Sequence, residues 1–137
     1  MIICDTGPPV ATLNKADNRH AECRDVLEQH RGPLIIPALV VLEVCQMLES
    51  RAGPTAESAF LDSLHRGEFE VEPLTVEDYG RMSELTRKYS DLPLGAADAC
   101  VIAVAERLRV TDVATLDQRH FRVVRPRHVK ALTLLPV

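Results

Sequence analysis

Apolar residues in this chain gather into short unbroken runs, separated by longer stretches in which they recur at helical spacing. Residues 1–4 form the first run, ending at Asp5-Thr6-Gly7-Pro8-Pro9, a turn signal that leads into a helix start. Residues 18–30 read as a helix with Ala21, Val26 and Leu27 facing inward. Residues 34–36 form a short buried strand, and Pro37 takes the first position of a strong helix over 38–51 that stops at Gly53-Pro54. A second helix covers 55–66, and a strand at 69–71 is closed by Pro73. Thr75 followed by Asp78 resembles a capping box, with Asp in place of Glu or Gln, and opens a helix to about Tyr89. After the break at Leu92-Pro93-Leu94-Gly95, a helix over 96–108 is so rich in Ala, Val and Ile that it belongs in the interior. The last strands are predicted at 112–115 and 131–135.

Strands that are continuous apolar runs, alternating with helices, belong to an α/β domain with a mostly parallel sheet covered on both faces. The expectation is one three-layer α/β/α domain over residues 1–137, with no repeat, linker or low-complexity tract. Such folds place ligands beyond the carboxyl ends of their strands.

Composition fits this picture and narrows it. With 46% hydrophobic and 26% charged residues over 137 positions, the chain has the make-up of a globular protein with one core. No run approaches the roughly 18–20 apolar residues of a membrane span, and Met1 leads directly into Ile2-Ile3-Cys4 with no basic, then apolar, leader. The cysteines, spaced 19, 22 and 55 residues apart, fit neither a CxxC pair nor a disulfide framework. A reducing cytoplasm is the expected setting.

Charge is uneven along the chain: residues 1–42 carry −1, residues 43–98 carry −7 and residues 99–137 carry +4. The acidic total argues against nucleic-acid binding. The late cluster Arg119, Arg122, Arg125, Arg127 and Lys130 argues for it, or is simply a solvated surface.

Four acids stand in settings that make them candidates for chemistry. Asp5 sits at the carboxyl end of the first strand, where it is a turn aspartate or a ligand. At about 100° per residue, Glu43 shares its helix face with Leu39, Val40 and Met47. It either reaches water from the edge of that stripe or is satisfied by a partner. Asp98 lies among Leu94, Val101, Ile102 and Ala105, as a first-turn charge favoured by the helix dipole or as a ligand. Asp117 follows a strand end, as the cap of a short helical turn or as a ligand.

Clustered carboxylates repel one another and persist where a hard cation sits among them. An all-oxygen set suggests Mg²⁺ or Mn²⁺ over zinc. The cysteines point away from the acids by helix and strand geometry, and His120 and His128 read as surface residues. Neither a GxGxxG or GxxxxGK[ST] loop nor a G-x-S-x-G elbow occurs.

Ile-Ile-Cys-Asp-Thr-Gly-Pro at 2–8, Pro-Ala-Leu-Val-Val-Leu-Glu-Val at 37–44, Leu-Gly-Ala-Ala-Asp-Ala at 94–99 and Ala-Thr-Leu-Asp-Gln-Arg-His-Phe at 114–121 follow in that order. This set resembles the PIN-domain ribonucleases, and among them the VapC-type toxins of bacterial toxin–antitoxin pairs. Cys4 and Pro9 depart from the usual aliphatic residues there, as packing changes. The resemblance implies a Mg²⁺-dependent ribonuclease with metal ligands Asp5, Glu43, Asp98 and Asp117, assisted by Thr6 and Thr115. It implies cleavage to a 5′-phosphate and a 3′-hydroxyl, a cognate VapB-type antitoxin and a homodimer. It leaves Arg119, Arg122, Arg125, Arg127 and Lys130 as the expected phosphate contacts. The alternatives are a catalytically inactive PIN-like RNA- or protein-binding module and a different metal-dependent phosphoesterase. A phospho-receiver domain would need a second acid beside Asp5 and a lysine after a late strand, whereas Asp5-Thr6 supplies no pair and Lys130 lies beyond any suitable strand.

Overall fold

A computed structural model describes residues 1–137. In chain order the elements are β1 (Ile2–Cys4), α1 (Gly7–Leu13), α2 (His20–Gln29), β2 (Leu34–Pro37), α3 (Ala38–Ala52) and α4 (Pro54–His65). They continue with β3 (Glu70–Glu72), α5 (Val76–Lys88), α6 (Ala96–Leu108), β4 (Asp112–Ala114), α7 (Gln118–Val123) and β5 (Thr133–Leu135). The strands form one sheet in the order β3-β2-β1-β4-β5. Every pairing is parallel, with Ile2 opposite Leu34 on one side and Asp112 on the other. Helices cover both faces of this sheet, in the three-layer α/β/α arrangement expected from the pattern of runs.

Burial explains why the strands read as unbroken runs. Ile2, Ile3 and Cys4 of the central strand are fully enclosed, as an all-parallel sheet under two helical layers requires. Residues 99–105 of α6 are all buried, which accounts for a helix with almost no polar positions there. α6 lies over β1 and β2 and packs on α5, while α3 packs on α4.

Local signals set several element ends. At α5 both halves of the capping box form: the Asp78 amide donates to Thr75 Oγ1 at 3.1 Å, and the Thr75 amide donates to Asp78 Oδ2 at 3.0 Å. Pro37 closes β2 and caps α3 from an extended conformation (φ −60°, ψ 142°); it does not take the first helical position. The strand therefore passes into the helix with no intervening loop. The inner face of α2 also differs from expectation. Cys23 and Leu27 are buried, Val26 is half-buried and Ala21 is exposed, because α2 starts two residues late, at His20, and packs against α1.

The C-terminal segment is tied to the α5–α6 layer by ion pairs. Arg81 donates to both oxygens of Glu106, at 2.7 and 2.9 Å, and the Arg127 amide donates to Glu106 Oε2 at 2.9 Å. Arg107 bridges Asp78, Glu72 and the Pro73 carbonyl. A hollow of about 350 Å³ opens here, but the charges lining it largely satisfy one another.

Candidate active site

The site begins where β1 and β4 end side by side. Asp5 leaves β1 with its amide bonded to the Ala114 carbonyl at 2.9 Å. Thr115, directly after β4, donates from Oγ1 to Asp5 Oδ2 at 2.8 Å. The same hydroxyl oxygen accepts from the Asp117 amide at 3.2 Å, so one threonine fixes two of the predicted acids. Asp98 comes from the first turn of α6, and Glu43 from α3. All four acids border one cleft of about 280 Å³, together with Thr6, Gly7, Met47, Arg51, Ala97 and Leu116.

Glu43 does lie at the edge of a buried stripe: Val40, Val44 and Leu48 are enclosed, Leu42 is 61% exposed, and Glu43 is half-buried facing the cleft. Asp117 occupies the cap position of α7 yet makes no side-chain capping bond, and it is largely exposed at the cleft mouth. Asp5 is only 7% exposed. Burial pushes its carboxyl up to about 6, against the lowering pull of the Thr115 hydroxyl and the Thr6 amide, and the charges of Asp98 and Glu43 raise it further. Asp98 is also raised, chiefly by burial, with His120 and the Gly95 amide pulling it back.

His120 is not the surface residue its sequence setting suggested. It is half-buried, with Nδ1 3.2 Å from Oδ2 of both Asp98 and Asp117, inside ion-pair distance of each but aligned with neither as a hydrogen bond. His128 is likewise drawn in, its Nε2 2.7 Å from the Val110 carbonyl. Two further cleft residues, Met47 and Arg51, follow Glu43 on α3 at intervals of four and were not singled out. That helical spacing was available in the sequence.

The late basic residues do not form one strip. Arg127 pairs with Glu84 at 2.7 Å, on the α5 side of the molecule. Arg122 donates to Gln118 Oε1 at 2.9 Å, and Arg119 reaches the Leu92 carbonyl at 3.4 Å. Arg125 and Lys130 flank a separate shallow hollow. None of the five lines the acidic cleft.

The donors suit a hard divalent cation. Every acid contributes oxygen, burial holds the Asp5 and Asp98 carboxyls at raised pKa, and the buried Thr6 hydroxyl has no partner. As they stand, no three His, Cys, Asp or Glu side chains are close enough to hold an ion together.

Gly7 holds the site in shape by close approach. A Cβ there would lie 3.1 Å from both Cβ and Cγ of Leu116, the residue before Asp117. Leu116 Cβ cannot rotate away, so Gly7→Ala is expected to displace the Leu116–Asp117 backbone. It should cost about 1–2 kcal/mol by overpacking, as read by thermal unfolding. An unchanged melting point would show that the contact relaxes freely.

Comparison with known proteins bears on the fold and the family. The PIN domain family model matches residues 2–126. Ribonuclease VapC26 of Mycobacterium tuberculosis is 30% identical over 135 residues, covering 98% of this chain and all of that protein. Among solved structures, the sarcin–ricin loop cleaving toxin VapC20 of M. tuberculosis superposes with a TM-score of 0.81 at 19% identity, covering 86% of this chain and 91% of that one. VapBC2 of Rickettsia felis, bound to a DNA fragment from its promoter, matches with a TM-score of 0.68 at 18% identity, covering 98% and 97%. The structural likenesses attest the fold, and the sequence match along almost the whole length attests the lineage: the chain belongs to the PIN-domain family, with VapC proteins as its relatives.

Proposed function

We propose that this protein is a divalent-metal-dependent ribonuclease of the VapC type, held in check by a cognate antitoxin. The observation that carries the proposal is the meeting of four carboxylates, from β1, α3, α6 and the β4 end, in one cleft of a PIN-domain chain. The relative named a ribonuclease, aligned over nearly the full length, supports RNA as substrate.

Asp5, Glu43 and Asp98 would hold Mg²⁺ or Mn²⁺, with Asp117 completing the set or serving a second ion. When bound, the cation offsets charge on the scissile phosphate and lowers the pKa of the attacking water. The chain's own groups do the rest. Thr115 locks Asp5 in one orientation through its 2.8 Å bond and holds the Asp117 backbone through the other side of the same oxygen. Thr6, buried with a free hydroxyl, donates to the water or to a phosphate oxygen. Where Asp117 stays off the cation, it would take a proton from the water at the cleft mouth, with the His120 ring 3.2 Å from Oδ2 of both Asp117 and Asp98. Products carrying a 5′-phosphate and a 3′-hydroxyl follow from the family resemblance.

Partners follow from the same surface. Exposed Leu39 and Leu42 form an apolar shelf with Ala96 and Ala97, sharing Glu43 and Ala97 with the cleft. An antitoxin segment that pairs apolar side chains with a basic one would cover shelf and cleft together. Relatives solved as toxin–antitoxin assemblies support such a partner, and the family resemblance adds a homodimer. No helix is long and apolar enough to cross a membrane.

The test is cleavage of an end-labelled structured RNA with Mg²⁺, with Mn²⁺ and with chelator, alongside Asp98→Asn. Metal-dependent cuts that vanish in the variant are expected. A folded Asp98→Asn protein with full activity would remove Asp98 from the site. Binding of RNA with neither metal uptake nor cleavage would instead indicate the inactive binding module.

A further inference from the structure

The acidic cleft contains one cation that no acid neutralises. Arg51 lines the cleft with Asp5, Glu43, Asp98 and Asp117, yet its guanidinium lies within ion-pair distance of none of them. At Arg81, Arg107 and Arg127 the structure does the opposite, matching each arginine to one or more carboxylates. An exposed guanidinium beside four carboxylates and bonded to none is positioned for an anion that enters from outside.

Helix geometry says where that anion would sit. Glu43, Met47 and Arg51 are spaced by four on α3, so they share one face, and eight residues at about 1.5 Å rise put Arg51 roughly 12 Å along the axis from Glu43. Helical side chains lean toward the helix N-terminus, so the Arg51 side chain extends over Met47 toward the acids. The guanidinium then stops short of the carboxylates, leaving room for a phosphate between or beside them. Its planar fork of donors matches the two oxygens of a phosphodiester. Arg51 also lies in the last turn of α3, where any positive charge favours the helix dipole. That role needs only charge, not a place in the cleft.

We propose that Arg51 is the residue that grips the RNA backbone at the active cleft, binding a phosphate of the strand being cut and so setting its position against the carboxylates. This rests on the ribonuclease reading. It also moves the principal phosphate contact from the late basic cluster to α3.

The experiment measures binding of a short single-stranded labelled RNA to Asp98→Asn protein, with and without Arg51→Ala, over a range of salt. Arg51→Ala is expected to weaken binding about tenfold and to reduce the slope of log affinity against log salt by about 0.7, the release from one single-strand phosphate. In the otherwise native chain it should raise KM about tenfold with kcat within about twofold, and Arg51→Lys should restore part of the affinity. A role confined to the helix end would shift thermal stability alone and would be fully met by lysine. Equal RNA binding and equal slope in folded Arg51→Ala would overturn the proposal. If Arg51→Ala weakens binding while native protein cleaves no RNA with either metal, the phosphate contact stands and the nuclease reading falls.

Discussion

Asp5→Asn is expected to abolish RNA cleavage, by about a thousandfold or more, while making the protein more stable at neutral pH. The loss follows from removing one of three buried or half-buried oxygen donors from the cleft. The gain follows from proton linkage. The carboxyl is raised from 3.8 to about 6 in the folded chain, first by burial. Below pH 3.8 it is protonated folded and unfolded, and it costs nothing. As pH rises to about 6 the unfolded chain gives up its proton while the folded chain retains it, so native stability falls. Above that the cost is constant, at most about 3 kcal/mol given about 1.4 kcal/mol per pH unit. Asparagine carries no such cost and can still accept from Thr115. Melting curves without divalent metal should place the variant several degrees above the native protein at pH 7.5 and level with it near pH 4. A lower melting point at pH 7.5 would sink the linkage argument, and retained cleavage would sink the role.

The second large effect lies away from the cleft. Glu106→Gln is expected to destabilise the fold by about 3 kcal/mol, since it takes from Arg81 its two-oxygen partner, whose side chain is only 9% exposed, and leaves it the longer 3.3 Å pair with exposed Glu84. That corresponds to roughly 6–12 °C for a chain of this size. Here the pH trend runs the other way. Burial alone would raise the Glu106 carboxyl, but Arg81 and the Arg127 amide outweigh it and hold it below its usual 4.5. A depressed group contributes stability above the unfolded pKa and loses it as pH falls through the folded one. The gap between native protein and variant should therefore be widest at neutral pH and narrow in acid, with cleavage unaffected well below the melting point. A variant that melts with the native protein at pH 7 would show that the pair contributes nothing net.

These two residues also mark how far the sequence could be read. Asp5 was legible because an apolar run and a turn signal place it at a strand end, and Glu43 and Asp98 because helical spacing sets them among apolar side chains. The Thr75–Asp78 box and the all-apolar α6 were legible for the same local reasons. His120 was not. Its partner Asp98 lies 22 positions earlier, and only the docking of α7 beside α6 brings the ring between two acids. Nor was the destination of Arg127, whose pairing with Glu84 spans 43 positions. The five late basic residues looked like a cluster because they are neighbours in sequence, but Arg119 and Arg122 lie on α7, Arg125 and Lys130 flank one hollow beyond it, and Arg127 turns to Glu84.

The bond between Thr115 and Asp5 joins residues 110 positions apart, at the middle of the sheet. A ribosome adds about 5–20 residues per second, so on the order of 10 s separates the emergence of one from that of the other. Throughout that interval a nascent chain has β1 but not β4, and Asp5 has neither its hydroxyl donor nor Asp117 beside it. The four-carboxylate cleft thus cannot assemble until residue 117 has been made, however early β1 and the first helices fold.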